Sequence, residues 1–99
     1  ESYAGQGNVL HFEDGLDGTG LRELADAIAR VCGGRAAVFS GSDGTGYGYC
    51  LASHDEDLRP LGKQMTAALS GRGGGKPDFQ QGSVKAGKSE ILAFFASVQ

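Results

Sequence analysis

The stretch GRGGGKPDFQQG, residues 71 to 82, is where this chain concentrates residues that could do chemistry. Gly73, Gly74 and Gly75 expose successive backbone N–H groups with no side chain in front of them, as a phosphate or a polynucleotide backbone needs for close approach. Arg72 and Lys76 supply positive charge on either side. From Gly71 to Lys88 the basic residues Arg72, Lys76, Lys85 and Lys88 face a single acid, Asp78, for a local charge of +3, while the rest of the chain carries −6. The segment is therefore a basic island in a protein of net charge −3, a balance that argues against general adhesion to nucleic acid and for a local anion site. The competing reading is that the glycines only let a tight loop pass close to a neighbouring strand. Neither standard phosphate loop fits. A Walker loop would end in Gly-Lys-Ser/Thr, and a dinucleotide fingerprint would follow a strand and lead directly into a helix.

The other reactive residues point to packing or solvent. Cys32 and Cys50 have no CxxC spacing and no histidines clustered near them, so two buried free thiols are expected in preference to a zinc site or a disulfide. His11 is expected on a strand surface and His54 in a loop at a helix entry. The acids beside it, Asp55, Glu56 and Asp57, suit a solvated helix start favoured by the helix dipole.

A chain of 99 residues with 39% hydrophobic and 21% charged residues is long enough for one core and has an ordinary globular composition, apart from its 18 glycines. No apolar run approaches the roughly 18 residues of a membrane span and no basic-then-apolar leader opens the chain, so a cytoplasmic protein with no membrane partner is expected. Glu1 in place of methionine, and an end one residue after ILAFFASV, lead us to expect a single domain over 1–99 that is the C-terminal piece of a longer protein.

Periodicity supplies the elements. NVLHFE alternates as a half-buried strand. Leu21, Leu24, Ala25, Ile28 and Ala29 recur at helical spacing, with Thr19 or Gly20 as cap and Gly33-Gly34 as stop. RAAVFSG and GYGYCLAS read as two strands joined by a hairpin loop, hence antiparallel. A second helix is capped by Asp57, tolerates Pro60 in its first turn, buries Leu58, Leu61, Met65, Ala68 and Leu69, and ends at Ser70-Gly71. FQQGSVK is assigned as a fourth strand, although Phe79, Gln81 and Ser83 make no apolar face. A last helix over SEILAFFASV is capped by Ser89 and buries Ile91, Leu92, Phe94, Phe95 and Val98. The expected class is α/β (α+β), a mixed sheet of about four strands with three helices, in the order β-α-β-β-α-β-α. The glycine run is then a loop at one end of the sheet.

In the order of its residues, GRGGGKPDFQQG resembles the signature loop of the DHHA1 family, found at the C-terminal end of alanyl-tRNA synthetases and of free-standing alanyl-tRNA editing proteins. Gly73, Gly74, Gly75, Lys76, Pro77, Asp78, Gln81 and Gly82 match its pattern, and LHFEDGL, LRELADAIA, AAVFSGSD and the closing helix fall in the family's order. Gln80 departs from it, standing where a small residue is common. VFSGSD followed by GYGYCLAS looks more like the editing branch. The resemblance implies a tRNA-binding accessory domain, in which Arg72, the glycines and the residues through Gly82 contact alanine-acceptor tRNA by shape and backbone. It also implies that the rest of the parent chain is a partner. Editing enzymes of this family hold zinc with an HxxxH motif and a distant Cys and His, and this chain has only His11 and His54. No cofactor and no catalytic set are expected in it, zinc and hydrolysis or ligation belonging elsewhere in the parent. The alternative is a nucleotide-binding lobe of a DHH-type phosphoesterase, whose loop usually reads Gly-Gly-His followed by Ala-Ala-Gly; Lys76-Pro77-Asp78 and Gln81-Gly82 favour the tRNA reading. A homodimer through the last helix is the minor reading.

Overall fold

Val9 is buried on one side of the first strand while Leu10 and Phe12 pack on the other, and this alternation sets up a sheet with two covered faces. The computed structural model describes residues 7–42, 46–53 and 57–98, with side-chain surroundings for all of these except 7, 32, 33, 42 and 98. His54, Asp55 and Glu56 lie outside the described residues, as do the side chains of Cys32 and Val98.

The elements are β1 Gly7–Phe12, α1 Gly18–Cys32, β2 Gly33–Ser42, β3 Gly46–Ala52, α2 Arg59–Ala68, β4 Arg72–Lys76, β5 Phe79–Val84 and α3 Lys88–Val98. They form one five-stranded sheet in the order β1-β2-β3-β5-β4. β1 and β2 pair in parallel across the α1 crossover, and the other pairs are antiparallel, including β2 with β3 as the hairpin signal requires. The mixed class and the helix positions follow the sequence reading. The strand count does not, because the glycine run is not a loop: residues 72–76 form the edge strand β4, paired with β5 from Arg72↔Ser83 to Lys76↔Phe79. All five residues of β4 are exposed, so it carries no apolar alternation from which a strand could be read.

Leu21, Ala25, Ile28 and Ala29 seal α1 onto Val9, Ala36, Val38, Cys50 and Ala52. On the opposite face Leu58, Leu61, Met65 and Leu69 of the α2 region and Ile91 and Phe95 of α3 cover Phe39, Tyr49, Leu51 and Val84. Phe39 is the hub there, 5.8 Å edge-on to Phe95 and 6.1 Å from Tyr49, within the range of favourable aromatic pairs. Ala68 is exposed and Leu92 is 46% exposed, since each sits one helical step off the stripe that meets the sheet.

Three helix ends differ from the sequence reading by a residue or more, each for a local hydrogen-bonding reason. Asp17, not Thr19 or Gly20, caps α1, its carboxylate accepting from the Gly20 N–H at 2.7 Å. Gly87 precedes α3, and the Glu90 carboxylate reaches back to its N–H at 3.2 Å, leaving Ser89 inside the first turn. At α2, Asp57 accepts from the Arg59 N–H but stands one residue ahead of the cap position, Leu58. The α2 C-terminus closes as a Schellman turn, in which Ser70 takes a left-handed φ of 54° and the Gly71 N–H donates to the Thr66 carbonyl at 2.8 Å.

Candidate nucleic-acid interface

Residues 77 and 78 form the two-residue turn of the β4–β5 hairpin, and their carbonyls fix the hairpin to the rest of the fold. The Leu58 N–H donates to the Pro77 carbonyl at 2.7 Å and the Ser53 N–H to the Asp78 carbonyl at 3.2 Å. Pro77 and Asp78 thus tie the hairpin tip to the end of β3 and the start of α2. Gln80 completes the closure. Its side chain is buried, its amide donates to the Lys76 carbonyl at 2.8 Å, and it lies against Gly62 on α2, where a Cβ would meet the Gln80 Oε1 at 3.0 Å. The bulk of Gln80 is thus matched by an absent side chain in the facing helix.

The glycines divide into two kinds. Tyr49 on β3 is opposite Gly82, which is opposite Gly73, and the tyrosine ring lies across β5 until its hydroxyl sits beneath the Gly73 Cα. A Cβ at Gly73 would collide with that hydroxyl, and one at Gly82 with the Arg72 carbonyl. These two glycines are required by packing. Gly74 is different: nothing lies within 4 Å of where its Cβ would be.

Alternation along β4 puts Arg72, Gly74 and Lys76 on the α1 side of the sheet, together with Phe79, Gln81 and Ser83 of β5. Helix α1 packs over β1, β2 and β3, and leaves this end of the face open. The result is a shallow platform with bare backbone at its centre and a cation at each end of β4. Gln81 links it to the helix by donating to the Gly18 carbonyl at 2.6 Å. The Arg22 guanidinium lies 5.2 Å from the centre of the Phe79 ring, a cation–π contact that adds a third positive charge beside a half-buried aromatic. A basin of about 590 Å³ between α1 and β5, lined by Thr19, Arg22, Asp26, Phe79 and Gln81 among others, continues the platform. On the opposite side of β4 a groove of about 640 Å³ runs against α2, past Pro60, Gly62, Lys63 and Thr66.

The structure brings all nine sequence-predicted site residues into this one hairpin. It does not present three successive amides to one side, because a strand alternates its N–H groups and Gly74 is turned into the ladder with β5. Sequence reasoning did not find Arg22 or Phe79 as partners, since only strand pairing brings the first turns of α1 to β5.

Among the described residues outside the hairpin, the shifted titratable groups are set by burial or by pairing. Burial pushes the Cys50 thiol up to about 12, which keeps it protonated and inert. Burial also raises the Tyr49 phenol, whose hydroxyl has no hydrogen-bond partner among the described residues. Hydrogen bonds from Arg59 hold the exposed Asp57 carboxyl down at about 2. His11 pairs with Glu13 at 3.2 Å. Among the described residues no three His, Cys, Asp or Glu side chains gather as metal ligands would. No helix among the described residues is long and apolar enough to cross a membrane.

Comparison with known proteins bears on the family and the fold. The DHHA1 domain model matches residues 5–98. An alanine–tRNA ligase of Pseudomonas entomophila is 36% identical over 75 residues, an alignment that covers 70% of this chain and 8% of the ligase. The chain thus spans a small fraction of that relative's length. The crystal structure of the C-Ala domain from Aquifex aeolicus alanyl-tRNA synthetase superposes with a TM-score of 0.72 at 21% identity, covering 90% of this chain and 86% of that one.

Proposed function

The chain belongs to the DHHA1 domain family, and from that premise we propose that it is a tRNA-binding accessory domain of the alanyl-tRNA synthetase type, working within a larger chain. The carrying observation is the open platform of the β4–β5 hairpin, where Arg72 and Lys76 flank a Gly74 that no packing contact explains. A polynucleotide backbone can lie directly on Gly74, with the two cations against flanking phosphates and Arg22 with Phe79 as a stacking edge. Recognition of this kind reads RNA shape and charge, which suits alanine-acceptor tRNA presented as a folded body. Pro77, Asp78, Gln81 and Gly82 serve the interface by fixing the hairpin's position. The alanine–tRNA ligase relative supports a synthetase-type parent. The chemistry, with any zinc, belongs to other parts of that parent, and the cytoplasm is where such a chain would meet tRNA.

The test is binding of deacylated alanine-acceptor tRNA across a salt series. Arg72→Ala and Lys76→Ala should each weaken binding and lower the slope of log affinity against log salt by about 0.9 for each phosphate left without its cation. An unchanged affinity and slope in the double variant would remove the platform from RNA binding.

A further inference from the structure

The outer edge of β4 has a hydrogen-bonding character of its own. Lys76 and Phe79 flank a two-residue turn, so they form a hydrogen-bonded pair, and alternation along the ladder makes Gly74 and Arg72 bond inward as well. Gly73 and Gly75 therefore turn both N–H and C=O away from the sheet. No proline lies within β4, its register with β5 is unbroken and all five residues are exposed, so the edge is guarded only by its shortness and by the charges of Arg72 and Lys76 at its ends.

Two donors alternate here with two acceptors. A phosphate backbone could use only the donors and would meet the lone pairs of the carbonyls, whereas an extended peptide satisfies all four groups. Charge selects among peptides. Arg72 and Lys76 stand at the two ends of β4 within a segment of charge +3, and a second copy of β4 added antiparallel about Gly74 would set Arg72 against Lys76 twice, a repulsive register. A strand with acids at its first and fifth positions reverses that repulsion. Its second and fourth side chains would point to the opposite face, into the groove of about 640 Å³ beside Pro60, Gly62 and Thr66.

We propose that the β4 edge takes up an extended acidic peptide segment as a sixth, antiparallel strand, with carboxylates opposite Arg72 and Lys76 and small side chains in the groove against α2. The inference is independent of RNA binding on the sheet face. The experiment is amide hydrogen exchange by NMR on the ¹⁵N-labelled 99-residue chain, with the end-blocked peptide Glu-Val-Thr-Val-Glu as probe and Lys-Val-Thr-Val-Lys as its counterpart. Saturating acidic peptide should slow exchange at Gly73 and Gly75 about tenfold or more and leave Gly74, already in the ladder, unchanged. The basic peptide should have no effect, and the double variant Arg72→Glu/Lys76→Glu, altered only at exposed side chains, should invert the preference. Equal protection by both peptides, no protection by either, or protection of these two amides by tRNA alone would overturn the proposal.

Discussion

The β1–β3 half of the sheet and the β5–β4 hairpin are built on opposite terms. In the first half nearly every side chain is committed: Val9, Ala36 and Val38 meet α1 while Phe39 and Leu51 meet α2 and α3. In the second half the β5 part of the α2 side is covered, by the Tyr49 ring reaching across Gly82 from β3 and by Gln80 lying against Gly62, while a groove remains beside β4. The other side of the hairpin is left open. A fold that buries its hydrophobic residues in one half can leave bare backbone in the other, and the open, positively charged face of that hairpin is where RNA binding is proposed. The comparison also separates the glycines, which look alike in sequence: Gly73 and Gly82 serve Tyr49 and the ladder, and Gly74 serves the open face.

The largest expected effect breaks the packing kind. Gly82→Val forces a Cβ into the Arg72 carbonyl and should lower stability by about 3 kcal/mol in urea unfolding, in line with overpacking at a site that cannot relax. Tyr49→Phe sharpens the contrast in the other direction. Its hydroxyl is buried beneath Gly73 with no partner among the described residues, so removing it should raise stability by about 1 kcal/mol and relax the crowding at β4. A loss of stability instead would mean that the hydroxyl has a partner. Ser70→Gly, at the left-handed turn that delivers the chain from α2 into β4, should add about 0.5 kcal/mol without touching either face, read as a raised midpoint of thermal unfolding.

Legibility followed the same division. In the filled half, periodicity identified α1 and the β2–β3 hairpin, because Leu21, Ala25 and Ile28 or Val38 and Cys50 take their spacing from the surfaces they cover. Local chemistry gave the chemical character of the site, since Arg72, Lys76 and three glycines are informative as residue types. What could not be read was the strand itself. Arg72 to Lys76 has no buried face to impose a period, and its pairing depends on a turn whose carbonyls are held by Ser53 and Leu58, distant in sequence. The cap of α1 was misplaced for a related reason: Asp17, Thr19 and Gly20 are all plausible caps by type, and only the 2.7 Å bond from Gly20 selects Asp17.

One variant separates the two kinds of glycine most directly. Gly74→Leu adds a side chain into open space on the platform, without altering charge and without a neighbour to displace. Its unfolding free energy should stay within about 0.5 kcal/mol of the parent, its salt slope for tRNA should be unchanged, and its affinity for deacylated alanine-acceptor tRNA should fall about tenfold as the RNA backbone is held off the sheet. Full tRNA affinity in a folded Gly74→Leu protein would contradict the account, because the glycine of β4 that packing leaves unexplained would then have no part in binding.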